Sequence, residues 1–229
     1  MKIALVIPAA GVGARMQADR PKQYLPLAGK TILEVTAQRL LAALPQSPLY
    51  IAVSDTDPYF AELPLATTPR VTRVAGGRER ADSVLSALQH IDADQFPWVL
   101  VHDAARPLLR SEDLATLLER CAQTGQGGIL ASPVRDTMKR GQRQADGSSL
   151  VQCTVERSQL WHALTPQVFP TALLRQALQT ALAAGVAITD EASAMEWAGQ
   201  AVQLVPGRAD NIKITQPEDL ALARFYLEQ

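Results

Sequence analysis

The sequence predicts an α/β fold: a Rossmann-like open, mostly parallel sheet with helices on both faces and a protruding β-hairpin arm. Three observations carry this reading. Strand-like apolar runs alternate with segments of helical periodicity along the whole 229-residue chain. The first of those runs ends directly in a glycine-rich turn. No repeat, low-complexity tract or linker divides the chain, so residues 1–229 read as one domain.

Lys2 to Pro8 is a continuous apolar run, the pattern of a strand buried on both faces of a parallel sheet. Residues 31–44 carry Ile32, Leu33, Val35, Leu40, Leu41 and Leu44 before Pro45, and read as a helix. Leu49 to Ser54 and Val71 to Ala75 are short strands, and 79–91 places Ala81, Val84, Leu85, Leu88 and Ile91 on one helical stripe. Trp98 to Asp103 is a buried strand with a polar end. Ser111 is expected to cap a helix with Glu112 and Asp113 in its first turn and Leu114, Leu117, Leu118 and Cys121 facing inward. Gly128 to Val134 is the next strand. Further helices are expected from Thr171, Thr189 and Thr215, the last with the capping box Thr215-x-x-Glu218.

The polar stretch from Asp136 to Glu156 breaks the alternation. With Asp146-Gly147 in its turn, it reads as a hairpin. A lone hairpin has too little core to stand alone. The apolar alternation at Val151, Cys153 and Val155 therefore makes residues 136–157 a candidate dimerisation arm.

Lys and Arg total 22 against 23 Asp and Glu, a net charge of −1. This excludes a globally basic nucleic-acid coat and an acidic tail protein, but not a local basic pocket. Cys121 and Cys153 are too few for a disulfide framework and belong to no CxxC pair. The three histidines have no zinc spacing, so no protein metal site is expected. The N-terminal apolar run meets Pro8 too early for a signal peptide, and no run approaches a membrane span. A soluble, cytoplasmic protein without nucleic-acid or membrane partners is expected.

The strongest local signal is Pro8-Ala9-Ala10-Gly11-Val12-Gly13-Ala14-Arg15-Met16. A turn of small residues at a strand's carboxyl end lets phosphate approach backbone N–H groups. Met16 stands where the dinucleotide fingerprint needs its third glycine, and the Gly-Lys-Ser/Thr of an ATPase loop is absent. Arg15 offers a planar fork and Lys22, in Pro21-Lys22-Gln23-Tyr24-Leu25, a mobile point charge. Together they could neutralise a triphosphate; the plainer reading is surface ion pairing, with Asp19 for example.

These two blocks resemble the nucleotide-binding signature of the 2-C-methyl-D-erythritol 4-phosphate cytidylyltransferases. The resemblance continues through Gly76-Gly77-x-x-Arg80-x-x-Ser83-Val84, Val101-His102-Asp103-Ala104-Ala105-Arg106-Pro107 and Asp136-Thr137-Met138-Lys139. It extends through Arg157-Ser158-x-Leu160-Trp161, Thr165-Pro166-Gln167-x-Phe169, Thr189-Asp190-Glu191 and Asn211-Ile212-Lys213-Ile214-Thr215. The blocks span almost the whole chain in the family's order.

The resemblance implies transfer of a cytidylyl group from CTP to 2-C-methyl-D-erythritol 4-phosphate, in non-mevalonate isoprenoid synthesis. It implies that Ala9, Ala10, Gly11, Val12 and Gly13 hold the nucleotide, Gly77 and Ser83 the cytosine, and Asp103 with Ala104 the ribose. Arg15 and Lys22 would stabilise the pentacoordinate α-phosphate. Arg157 and Lys213 would fix the acceptor phosphate, with Arg106, Thr137, Thr165 and Thr189 around the same sugar phosphate. A magnesium ion would be held mainly by the CTP phosphates, and the partner would be a second copy of the chain. The acceptor's own phosphate is the nucleophile, so positioning and charge screening suffice without a strong base.

Arg78 and Ala14 depart from the family pattern, which puts a side-chain contact to the base and one phosphate contact in doubt. His102 reads as structural, and the plainer reading of Asp103 is a turn or helix cap. Two alternatives stay open: a ribitol-5-phosphate cytidylyltransferase, and a non-catalytic nucleotide sensor on the same fold.

Overall fold

The computed structural model describes residues 1–11, 16 and 19–228. Its first strand, β1 (Ile3–Pro8), explains the unbroken apolar run: Ile3, Leu5 and Ile7 enter one core, Ala4 and Val6 another. A strand alternates its side chains between faces, so a sheet covered on both sides needs apolar residues at every position.

A single 3-10 turn at Lys22–Tyr24 and a small hairpin, β2 (Pro26–Leu27) with β3 (Lys30–Thr31), lead into α1 (Ile32–Ala43). Thr31 and Glu34 form the capping box of that helix. There follow β4 (Leu49–Val53), β5 (Val71–Ala75), α2 (Arg80–Gln89) and β6 (Trp98–Val101). Next come α3 (Ser111–Thr124), β7 (Gly128–Pro133), β8 (Met138–Arg143) and β9 (Ser149–Val155). The chain ends with β10 (Trp161–Pro170), α4 (Thr171–Ala183), α5 (Glu191–Trp197), β11 (Gln203–Pro206) and α6 (Pro217–Leu227).

The main sheet has seven strands in the order β11-β7-β10-β6-β1-β4-β5. All its pairings are parallel except those of β10, which runs antiparallel to both β6 and β7. Helices α1 and α3 cover one face; α2, α4 and α5 cover the other. A third cluster, with Leu27, Ile32, Leu108, Ile214 and Ala223, seats α6 against the outer side of α1. The expected architecture stands: an open, mostly parallel sheet between two helical layers.

Strand β10 was not foreseen. Polar His162, Thr165 and Gln167 interrupt its apolar run, and its pairing with β7 shifts register between Ala163 and Gln167. Three helix starts are also corrected. Arg110, not Ser111, is the N-cap of α3 and makes no side-chain cap; Ser111 is already helical. Helix α5 starts at Glu191, because the Asp190 carboxylate accepts from the Ser193 amide and stops the helix extending back to Thr189. At α6, Asp219 rather than Glu218 receives the amides of Thr215 and Gln216. At α5 and α6 a carboxylate takes the capping role; at α3 no side chain does.

Strands β8 and β9 pair only with each other among the described residues, as a separate two-stranded sheet. Nearly every residue in them is exposed. Cys121 lies buried in α3 and Cys153 exposed in β9, and neither forms a disulfide. No helix among the described residues is long and apolar enough to cross a membrane.

Candidate active site

Parallel strands β1, β4 and β6 end on the same side of the sheet, where an open α/β sheet holds its ligand. A cavity of about 300 Å³ opens there. Ala9, Ala10, Gly11, Lys22, Gly77, Ser83, Asp103, Ala104 and Lys213, all expected from the sequence, line it. Val12, Gly13, Ala14 and Arg15 lie outside the described residues. An adjoining cavity of about 230 Å³ is lined by Arg106, Thr165 and Thr189, and shares Arg80, Asp103 and Lys213 with the first.

The nucleotide-side wall rests on close backbone approach. A Cβ at Gly76 would come within 2.3 Å of the Ala10 Cβ, and one at Gly77 within 2.2 Å of the Asp82 Cβ. Any side chain at either would push the wall apart. The Ser83 hydroxyl accepts from the Gly77 amide at 3.0 Å and donates to the Glu79 carbonyl at 3.1 Å. Gln23, 3% exposed, donates its carboxamide N–H groups to the Ala9 carbonyl at 2.7 Å and the Gly11 carbonyl at 3.1 Å. Lys22 Nζ donates to the Ile214 carbonyl at 3.0 Å, tying the loop to the C-terminal segment.

Asp103 is the centre of charge. Arg80 Nε donates to Asp103 Oδ1 at 2.9 Å, Lys213 Nζ lies 2.7 Å from Asp103 Oδ2, and Arg106 Nε lies 3.7 Å from the same oxygen. Burial alone would raise the Asp103 carboxyl, but Arg80, Lys213 and Arg106 outweigh it and hold it well below the usual carboxylate range. The Arg80 fork closes on Glu191, with Nη1–Oε1 2.6 Å and Nη2–Oε2 3.0 Å, and that carboxylate is wholly buried. Burial would lower Arg80, yet Glu191 and Asp103 raise it beyond its ordinary value. Three cations thus surround two carboxylates, leaving one positive charge in excess at the junction of the cavities.

The acceptor-side wall is held from behind. Burial lowers His102 to about 4, so the imidazole is neutral. The Thr165 hydroxyl accepts from the Asp103 amide at 3.0 Å and lies 3.0 Å from His102 Nδ1; His102 Nε2 lies 3.0 Å from the Arg106 carbonyl. A neutral ring with one N–H satisfies this chain if Nε2–H donates to Arg106 and Nδ1 accepts from Thr165. His102 is therefore structural, as expected, while Thr165 spends its proton on the scaffold. Arg106 Nη1 donates to the Asn211 carbonyl at 2.7 Å and Asn211 Nδ2 to the Thr165 carbonyl at 2.8 Å. Arg106 Nε and Asn211 Oδ1 are buried without a hydrogen-bond partner among the described residues.

Two expected residues stand apart. Thr137 and Arg157 flank the hairpin, are exposed and line neither cavity; Arg157 donates to the Arg135 carbonyl. Conversely, Arg80, Glu191, Gln23 and Asn211 were not singled out for the site. Arg80 and Glu191 sat inside quoted motifs at the first positions of helices. Pairing them needs the fold, because 111 residues separate them.

The family profile described as 2-C-methyl-D-erythritol 4-phosphate cytidylyltransferase matches residues 3–229. A relative of that name from Photobacterium profundum is 59% identical over 228 residues, covering 100% of this chain and 97% of its own. A crystal structure described as 4-diphosphocytidyl-2C-methyl-D-erythritol synthase is 38% identical with a TM-score of 0.82, covering 99% of this chain and 98% of its own. The enzyme of the first name from Thermus thermophilus is 31% identical with a TM-score of 0.81, covering 100% of both chains. With its loop, its charged junction and its whole length accounted for, this chain belongs to the 2-C-methyl-D-erythritol 4-phosphate cytidylyltransferase family.

Proposed function

We propose that this protein forms 4-diphosphocytidyl-2-C-methyl-D-erythritol and pyrophosphate from CTP and 2-C-methyl-D-erythritol 4-phosphate. The observation that carries this reading is the pair of adjoining cavities sharing Arg80, Asp103 and Lys213, which suits two phosphorylated substrates meeting end to end. CTP takes the larger cavity, with cytosine near Gly77 and Ser83 and ribose at Asp103 and Ala104. The sugar phosphate takes the smaller, facing Arg106, Thr165, Thr189 and Lys213.

A phosphate oxygen of the acceptor attacks the α-phosphorus of CTP, and the bond to the β-phosphate breaks as pyrophosphate leaves. No proton need be removed from a phosphate that is already anionic, so the residues position and screen charge. Lys213 holds the attacking phosphate, while Lys22 and Arg15 meet the charge that develops at the α-phosphate.

Among the described residues, Asp103 and Glu79 are the carboxylates lining the nucleotide cavity, and Asp103 already faces three cations. That sparse set fits a magnesium ion carried by the triphosphate and touched by at most one or two protein carboxylates. Such an ion would neutralise the leaving pyrophosphate.

Thr137 and Arg157 lie outside the cavities of their own chain, and the hairpin beside them exposes Leu150 and Val151. Both features support a homodimer in which residues 136–157 of one copy reach the acceptor cavity of the other; a cytoplasmic location is part of the same proposal. The test is pyrophosphate release with CTP, magnesium and each candidate acceptor. Turnover with 2-C-methyl-D-erythritol 4-phosphate and little with ribitol 5-phosphate is expected; the reverse preference, or none, overturns the reading.

A further inference from the structure

We infer that Gln23 is a positioning residue for the triphosphate, acting through the peptide planes of the glycine loop; this rests on the reading that the larger cavity takes CTP. Gln23 sits in the 3-10 turn at Lys22–Tyr24, buried at 3% exposure. Its amide nitrogen has two hydrogens, and both are used: one on the Ala9 carbonyl at 2.7 Å, the other on the Gly11 carbonyl at 3.1 Å.

In a planar trans peptide the carbonyl and the following N–H point in opposite directions. Holding the Ala9 carbonyl towards Gln23 therefore turns the Ala10 N–H away from Gln23. The Ala9 amide is occupied, donating to the Ala52 carbonyl at 2.7 Å, whereas the Ala10 amide donates to no described group. Ala10 and Gly11 line the cavity. One buried side chain thus sets the facing of a backbone donor that has no partner among the described residues. An amide fixed beforehand loses no orientational freedom when an anion arrives. The second bond fixes the Gly11 carbonyl on the same side, where free rotation of a glycine would otherwise let the loop turn over.

A side chain that merely satisfied two carbonyls would matter to folding but not to phosphates, and this distinction is measurable. Gln23→Met keeps the length and removes both donors. The intact protein is titrated with CTP and with cytidine, which shares the base and ribose and has no phosphate. In the variant the ratio of CTP to cytidine affinity is expected to fall about tenfold or more, the size of a lost charge-assisted hydrogen bond. Cytidine affinity should stay within about twofold. Equal losses for the two ligands, or none, overturn the inference. Gln23→Leu, which is uncharged and donates to neither carbonyl, carries the same expectation if the methionine variant fails to fold. If the unaltered protein binds no CTP, the CTP reading fails. Inorganic tripolyphosphate then tests Gln23 directly: loss of binding in the variant supports it, and unchanged or absent binding overturns it.

Discussion

Near the ends of β1 and β6, the charged groups Arg80, Asp103, Arg106, Glu191 and Lys213 form one ion-pair cluster within a single chain, and apolar residues are sealed beneath them. On the hairpin β8–β9 the reverse holds: Leu150 is 61% and Val151 66% exposed, and the nearby Arg157 and Thr137 line neither cavity of the site. The described charges of the first region pair within one copy; the second presents apolar surface that a lone chain leaves in water. If the proposed arm serves a partner, nucleotide handling belongs to one subunit and acceptor handling to the assembly, a division that can be attacked from either side.

The largest effect is expected at the centre of the completed region. Asp103→Ala removes the shared counter-ion of Arg80, Arg106 and Lys213 and should cost roughly 3–5 kcal/mol of folding stability, the scale for breaking a buried pair. Urea unfolding measures this; a loss below about 1 kcal/mol would mean that solvent already screens the three cations. Lys22→Ala should leave the fold intact and lower kcat by about 10²–10³. A near-unaltered kcat in that variant removes Lys22 from the chemistry.

His102 makes the same region sensitive to acid. Its imidazole titrates at about 4 in the folded chain against 6.5 ordinarily. As pH falls below 6.5 the unfolded chain takes up the proton first, so folding stability is full above that value and erodes towards pH 4. The integrated loss is about 3 kcal/mol. The Asp103 carboxyl, held low, gives up its contribution only in stronger acid. Urea midpoints at about pH 7.5 and about pH 4.5, on either side of most of that window, should therefore differ. A flat profile would mean that water reaches the ring.

The incomplete region should respond in one substrate only. Arg157→Ala is expected to raise the KM for the sugar phosphate by about 10–100-fold, the range for losing a charge-assisted contact, with CTP affinity unchanged. Mixing this variant with an inactive Lys22→Ala chain should restore turnover in the mixed dimer if Arg157 serves its partner. Failure to restore it confines Arg157 to its own chain.

How far these regions were legible in advance follows from the range of the signals. Two-sided burial of β1 is written in consecutive residues, Ile3 to Ile7, and so are the stripe of α2 and the turn at Asp146-Gly147. The glycine loop and the basic residues after it are local too, and the family blocks gave Asp103 and Lys213 their places. Strand β10 was hidden because Thr165 and Gln167, polar yet buried, look like loop residues until their partners His102, Asp103 and Asp190 are known. Arg80 and Glu191 were hidden for the same reason: a residue's partner across 111 positions has no trace in spacing. Of the cations expected at the phosphates, Lys213 lines both cavities, Lys22 the larger and Arg106 the smaller; Arg157 lines neither within one chain, and Arg15 lies outside the described residues.

The smallest expected effect separates the two regions most cleanly. Leu150→Asp combined with Val151→Ser puts a charge on one face of β9 and a hydroxyl on the other, and leaves the main sheet untouched, because β9 pairs only with β8 among the described residues. Desolvating an aspartate in an apolar interface without a partner is costly, so the assembly should sediment as a monomer. Leu150 and Val151 do not line the larger cavity, so on the proposed division CTP affinity should move by less than about twofold. Acceptor turnover should collapse together with the dimer. If CTP affinity fell in step with acceptor use, the nucleotide cavity would depend on the partner as well. If the variant stayed dimeric, β8–β9 would not be the arm, and the exposure of Leu150 and Val151 would need another explanation. Either result would dissolve the contrast between a finished cavity and an unfinished surface.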